Sequence, residues 1–198
     1  MRRAGALAAV TLAVLAVSGQ SAGAITPPEI DPAVGPPTGS AGPVQPMAQR
    51  SECVASGVIP GTDPGLVNPN QLSLDLSEAW QHSRGDGQLV AVIDTGVQPG
   101  PRLPNVDPGG DFVEATDGLT DCDGHGTLVA GLIAGQPGAD GFSGVAPAAR
   151  IVSIRQTSAR FAPRSAGEDP VVTQATIDVA TLARAVVRAA DLGARVIN

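Results

Sequence analysis

Apolar and polar positions fall along this chain in blocks with different periods. Ala4 to Val17 is an unbroken apolar run. Between residues 25 and 71 the pattern dissolves, interrupted by Pro27, Pro28, Pro32, Pro36, Pro37, Pro43, Pro46, Pro60, Pro64 and Pro69. Proline fixes φ and removes a backbone donor, so neither a long helix nor a central strand is expected there. From residue 72 periodicity returns. Leu74, Leu76, Ala79 and Trp80 predict a short helix, with Ser73 or Asp75 as its cap. Leu89-Val90-Ala91-Val92-Ile93 is a branched apolar run ending at Asp94, which predicts a strand buried on both faces. Gly126 to Gly135 sets Leu128, Val129, Leu132 and Ile133 among small residues and predicts a helix buried nearly all round. Ala149 to Ile154 predicts another buried strand. Residues 174–192 give the clearest helix. Ile177, Leu182, Ala185, Val186 and Ala189 share one side, Arg184 and Arg188 face elsewhere, and Gly193 is the stop. Ala194 to Asn198 begins a further strand. Strands alternating with helices predict an α/β domain with a parallel sheet. No internal repeat is present.

The first apolar block reads as a secretory signal peptide over residues 1–24. Arg2 and Arg3 supply its positive start, and Ala22-Gly23-Ala24 a small-x-small cleavage site. Its apolar core is shorter than the roughly 20 residues that span a bilayer. Residues 25–71 form a Pro-rich N-terminal extension and residues 72–198 the folded region. Twelve arginines, no lysine and a net charge of −7 argue against a nucleic-acid partner. One Trp, three Phe and no Tyr leave no platform for stacking bases. In an exported chain the two cysteines, Cys53 and Cys122, point to a disulfide, with two buried free thiols as the alternative. The extension reads as a flexible linker, as an inhibitory propeptide, or as an extended segment tied down by Cys53. The last is preferred, because its apolar residues are too sparse for a core and an anchor in a free tail would serve no purpose.

Two motifs carry chemistry. Val90-Ala91-Val92-Ile93-Asp94-Thr95-Gly96-Val97 places a carboxylate where a buried strand meets a glycine turn, and catalytic groups of open α/β sheets gather at such strand ends. Asp121-Cys122-Asp123-Gly124-His125-Gly126-Thr127-Leu128-Val129-Ala130-Gly131 places an imidazole at the start of a buried helix. A serine hydroxyl attacks an amide only with an imidazole base, and that base needs a buried carboxylate to fix its tautomer. The helix N-terminus disfavours a cation on His125, while a nearby Asp94 opposes that effect. Asp94 precedes His125 by 31 positions, in the chain order Asp, His, Ser of one known triad arrangement. Asp121 and Asp123 read as solvated turn residues rather than metal ligands, and His82 as a helix-surface residue. Ser143 fails the nucleophile-elbow pattern. An aspartic-protease reading of Asp94-Thr95-Gly96 lacks a second carboxylate box.

These boxes resemble the first two signatures of the subtilase family. Gly144-Val145-Ala146-Pro147, Ile151-Val152-Ser153-Ile154 and Ala194-Arg195-Val196-Ile197-Asn198 are similar to strands that follow in that family. The resemblance implies a subtilisin-like parallel sheet flanked by helices, incomplete here, with Asp94 and His125 as catalytic residues of a serine endopeptidase. Asp121 to Thr127, Phe142 to Pro147 and Ile154-Arg155-Gln156 narrow the resemblance to mycosins of type VII secretion systems. By that resemblance Cys53 pairs with Cys122, closing a loop of about 70 residues. It also implies a protein or peptide substrate, a type VII secretion membrane complex as partner, and a secreted or cell-envelope location. It further implies that the full-length parent is anchored in the membrane by a C-terminal helix that is not among these residues. No cofactor is expected; a structural calcium ion is compatible with the family but no residue indicates one. The family's Gly-Thr-Ser nucleophile box and oxyanion-hole asparagine do not occur among the 198 residues, so this chain alone is expected to be inactive. The alternative is a non-catalytic structural subunit of the secretion complex, or an inactive truncated product.

Overall fold

The computed structural model describes Glu29 and residues 31–54, 61, 63, 66, 69–164 and 170–198. The expected signal peptide at 1–24 lies outside them. The chain divides into two compact units, Met1–Gly35 and Pro36–Asn198. In the first, Asp31 Oδ1 accepts the Ala33 amide in a tight turn.

The second unit is built on a four-stranded parallel sheet. Its strands are β2 (Leu89–Asp94), β3 (Val106–Asp111), β4 (Arg150–Arg155) and β6 (Val196–Ile197), in the order β3-β4-β2-β6. β2 is buried as its run of branched residues predicts, and its alternate residues serve two cores. Val90 and Val92 pack with Val97, Leu103, Ala130, Ala134 and Ile151 on one side. Ala91 packs with Phe112, Val152, Ile154, Ala185 and Ala189 on the other. Helix α3 (His125–Ala134) covers the first face and α4 (Pro170–Asp191) the second. Two short helices, α1 (Pro69–Leu72) and α2 (Leu76–Ala79), precede the sheet. Asp75 caps α2 by accepting the Glu78 amide. His82 lies exposed in the turn that follows.

The two long helices differ from the sequence expectation in which residues they bury. In α3 the buried residues are Gly126, Ala130 and Ala134, while Leu128 is 64% and Leu132 60% exposed. Small residues at i, i+4 and i+8 let the helix lie close to the sheet, and that leaves its leucines outside. In α4 the buried stripe is Ile177, Thr181, Ala185 and Ala189; Leu182 and Val186 are exposed. Arg184 and Arg188 are only partly exposed. Arg184 donates to the Ser40 carbonyl and lies over the Phe112 ring, and Arg188 donates to the Gly109 carbonyl. The helix stops where predicted. Gly193 sits at φ 82°, and the Gly193 and Ala194 amides bond back to Ala190 and Ala189 in a Schellman motif.

Sequence reasoning did not foresee β3, nor the antiparallel ribbon of β1 (Met47–Gln49) with β5 (Phe161–Pro163). That ribbon lays part of the extension onto the folded region. Further along, the Val54 amide donates to the Cys122 carbonyl, and Cys53 and Cys122 are joined with their Cα atoms 4.5 Å apart. Among the described residues no helix is long and apolar enough to cross a membrane.

Candidate active site

Asp94 is the last residue of β2 and His125 the first of α3. The sheet brings the strand's carboxyl end beside the helix's N-terminus, and the two side chains meet there. His125 Nδ1 lies 2.8 Å from Asp94 Oδ1 and 2.9 Å from Oδ2. An ionised carboxylate only accepts, so Nδ1 carries the proton in this pair and Nε2 is left as the basic nitrogen. Asp94 Oδ1 also accepts the Thr95 amide at 2.7 Å. The Asp94 hydrogen bond, and then its charge, raise the His125 pKa above the ordinary 6.5. Burial opposes this, and the charges of Asp121 and Asp123 add smaller upward contributions. The imidazole is 69% exposed and the carboxylate 15%.

The approach is close because Gly126 has no side chain. A Cβ there would overlap the Gly96 carbonyl and reach 3.1 Å from Asp94 Oδ1. The loop before α3 is fastened on both sides of Cys122. Asp121 Oδ1 accepts the Gly124 amide at 2.7 Å and the Asp123 amide at 3.1 Å; its Oδ2 accepts the Thr127 amide at 2.9 Å. Asp123 accepts the Ala159 amide at 2.9 Å and the Ser158 hydroxyl. Neither is a solvated turn residue: both carboxylates are consumed in tying the loop down. A capping signal was present in the sequence, since an aspartate shortly before a helix start serves the orphan amides of its first turn.

An open cleft of about 640 Å³ adjoins His125, lined also by Thr95, Asp123, Thr157, Ser158, Phe161 and Asp178. Ser143 is buried and lines a different hollow with Leu72 and Trp80. Among the described residues no three His, Cys, Asp or Glu side chains gather closely enough to hold a metal ion.

The same residues match known proteins. The model of the subtilase family, peptidase group S8, matches residues 85–198. The chain belongs to the subtilase family. Its relatives within that family include mycosins. Over all of its 198 residues this subtilase is 66% identical to Mycosin-3 of Mycobacterium tuberculosis (strain ATCC 25618 / H37Rv), covering 43% of that protein. The structure of MycP3 protease from the type VII (ESX-3) secretion system superimposes with a TM-score of 0.85 at 73% identity, over 88% of this chain and 47% of that one. A chain in the periplasmic assembly of the ESX-5 inner membrane complex superimposes at 0.80 with 49% identity, over 88% and 47%. This subtilase thus spans under half the length of each of these three relatives.

Proposed function

We propose that this subtilase is the first part of a serine endopeptidase of a type VII secretion system, acting on protein or peptide substrates at the cell envelope. Asp94 and His125 are its triad acid and base, and the nucleophilic serine comes from outside residues 1–198. The observation that carries this reading is the His125 Nδ1 held between both oxygens of Asp94, at 2.8 and 2.9 Å. In that arrangement Asp94 fixes the tautomer and stabilises the imidazolium. Nε2 takes the proton of the serine hydroxyl during attack and returns it to the leaving amine. Residues 1–24 direct export, and the oxidising compartment reached in this way permits the Cys53–Cys122 bridge. The likeness to a chain of the ESX-5 assembly favours a second role beside catalysis, as a structural member of a secretion membrane complex.

The test uses a completed enzyme: these 198 residues joined to the part of Mycosin-3 beyond the match. A fluorophosphonate probe labels its activated serine. Labelling is expected to vanish in His125→Ala and to slow about 10⁴-fold in Asp94→Asn. Equal labelling of wild type and His125→Ala would sink the assignment.

A further inference from the structure

Asp94 and His125 stand on separate segments, and the contact between them does not by itself set the register of those segments. Two threonines do, each bridging in the opposite sense. Thr95 follows Asp94. Its hydroxyl accepts the amide of Gly126, the residue after His125, at 3.0 Å. It donates to Asp121 Oδ1 at 2.8 Å. Thr127 lies two residues past His125. Its hydroxyl accepts the amide of Gln98, beyond the Asp94 turn, at 3.0 Å. It donates to Asp121 Oδ2 at 2.6 Å. A hydroxyl has one proton to give, so donation to the carboxylate leaves its lone pairs for the amide across the site. One carboxylate therefore orients both hydroxyls through short, charge-assisted bonds. Thr95 is buried at 8% exposure, where water competes poorly for these bonds.

We propose that Asp121, Thr95 and Thr127 form a reciprocal clamp that positions the His125 imidazole against the Asp94 carboxylate. They are positioning residues, and their effect on the reaction passes through His125. The inference rests on the serine-endopeptidase reading above. Only an acid suits the centre: an amide at position 121 has one accepting oxygen and would turn an NH₂ towards a donor on the other arm.

In the completed enzyme, Thr95→Val and Thr127→Val each remove one arm at nearly constant shape, and Thr95→Ser keeps the hydroxyl. The readouts are kcat and KM on a peptide ester, and the downfield Hδ1 proton resonance of His125. Each valine variant is expected to lose about 10- to 100-fold in kcat, as a displacement near 1 Å would cause. KM should stay within about twofold, since no substrate contact is lost. The Hδ1 resonance should move upfield, and Thr95→Ser should recover most of both signals. A lower thermal midpoint with unchanged kcat and unchanged resonance overturns the clamp, because a purely structural role gives that result. If neither valine variant folds, Asp121→Asn reads the same link from its centre, and wild-type kcat and resonance there overturn it equally. An inactive wild-type completed enzyme condemns the endopeptidase reading instead, and the resonance shifts then decide the clamp alone.

Discussion

Replacing Gly126 with alanine sets two effects of known sign against each other. Alanine favours the helical state of α3 by about 1 kcal/mol over glycine. Against this, the new Cβ overlaps the Gly96 carbonyl oxygen and lies 3.1 Å from its carbon and 3.1 Å from Asp94 Oδ1. Comfortable contacts need about 3.5 Å, and the overlapped carbonyl oxygen is the nearest obstacle, so the start of α3 must retreat by about 1 Å. Neither obstacle can swing aside, since one is backbone and the other is the carboxylate of the site. Overpacking of this kind costs about 1–3 kcal/mol, which cancels or exceeds the helical gain and leaves a net loss of up to about 2 kcal/mol. The rate suffers more. A retreat approaching 1 Å moves His125 off its line with Asp94 and costs on the order of 100-fold in kcat. Gly131→Ala is the control on the same helix, because nothing lies within 4 Å of its Cβ. It should gain up to about 1 kcal/mol with kcat unchanged. Thermal midpoint and kcat of the completed enzyme separate the two cases. A Gly126→Ala variant that behaves like Gly131→Ala refutes the reasoning.

His125 should titrate above 6.5 by NMR, and Asp94→Asn should bring it down. The bonded imidazolium then stabilises the fold fully below 6.5, and that contribution is lost as pH rises through the raised value; a wild-type His125 titrating below 6.5 contradicts this. Peptide-ester turnover by the completed enzyme should, in contrast, fall as pH drops through the raised value, because the base becomes blocked. Reduction of the Cys53–Cys122 bridge, which closes a separation of 69 residues, should cost on the order of 4 kcal/mol in the chain-entropy account. Urea midpoints with and without dithiothreitol measure it, and coincident midpoints refute it. Asp111→Ala should cost about 3–5 kcal/mol by urea unfolding, since it strips one partner from the fully buried Arg155 cation. A loss below about 1 kcal/mol would show that Glu114 alone satisfies that arginine.

What the sequence revealed follows from what shaped each element. β2, β4 and the body of α4 are apolar runs or stripes dictated by burial, and their pattern survives in single residues. Asp94 closes β2 and His125 opens α3, so their meeting at one rim of the sheet could be foreseen. β3 reads Val-Asp-Pro-Gly-Gly-Asp and has almost no apolar signal. It is a strand because β4 pairs with it, with a shift in register between Pro108 and Gly110, and because Asp111 meets Arg155 at its end. A partner decides such a strand, and a local window cannot see the partner. Leu128 and Leu132 misled for a related reason: close helix–sheet approach selects small residues for the inside, and hydrophobicity alone ranks leucine above alanine. The joint work of Asp121 was hidden because two of its five donors are amides of its own loop, two are the amide and hydroxyl of Thr127 in α3, and one is the distant Thr95 hydroxyl.

The ribbon of β1 and β5 joins positions far apart in order of synthesis; the Arg50 side chain reaches the Pro163 carbonyl across 113 positions. A chain made from its N-terminus presents β1 long before β5, and Cys53 long before Cys122. The early segment therefore has no strand to pair with until β5 has been made. Its prolines make that wait safe, since they deny a neighbouring chain a continuous edge to pair with. Among these 198 residues Cys122 is the one other thiol, so Cys53 meets no competing partner within them. Closure of the bridge ties the extension to the loop that leads into His125, and thiol accessibility at Cys53 during refolding would time that event.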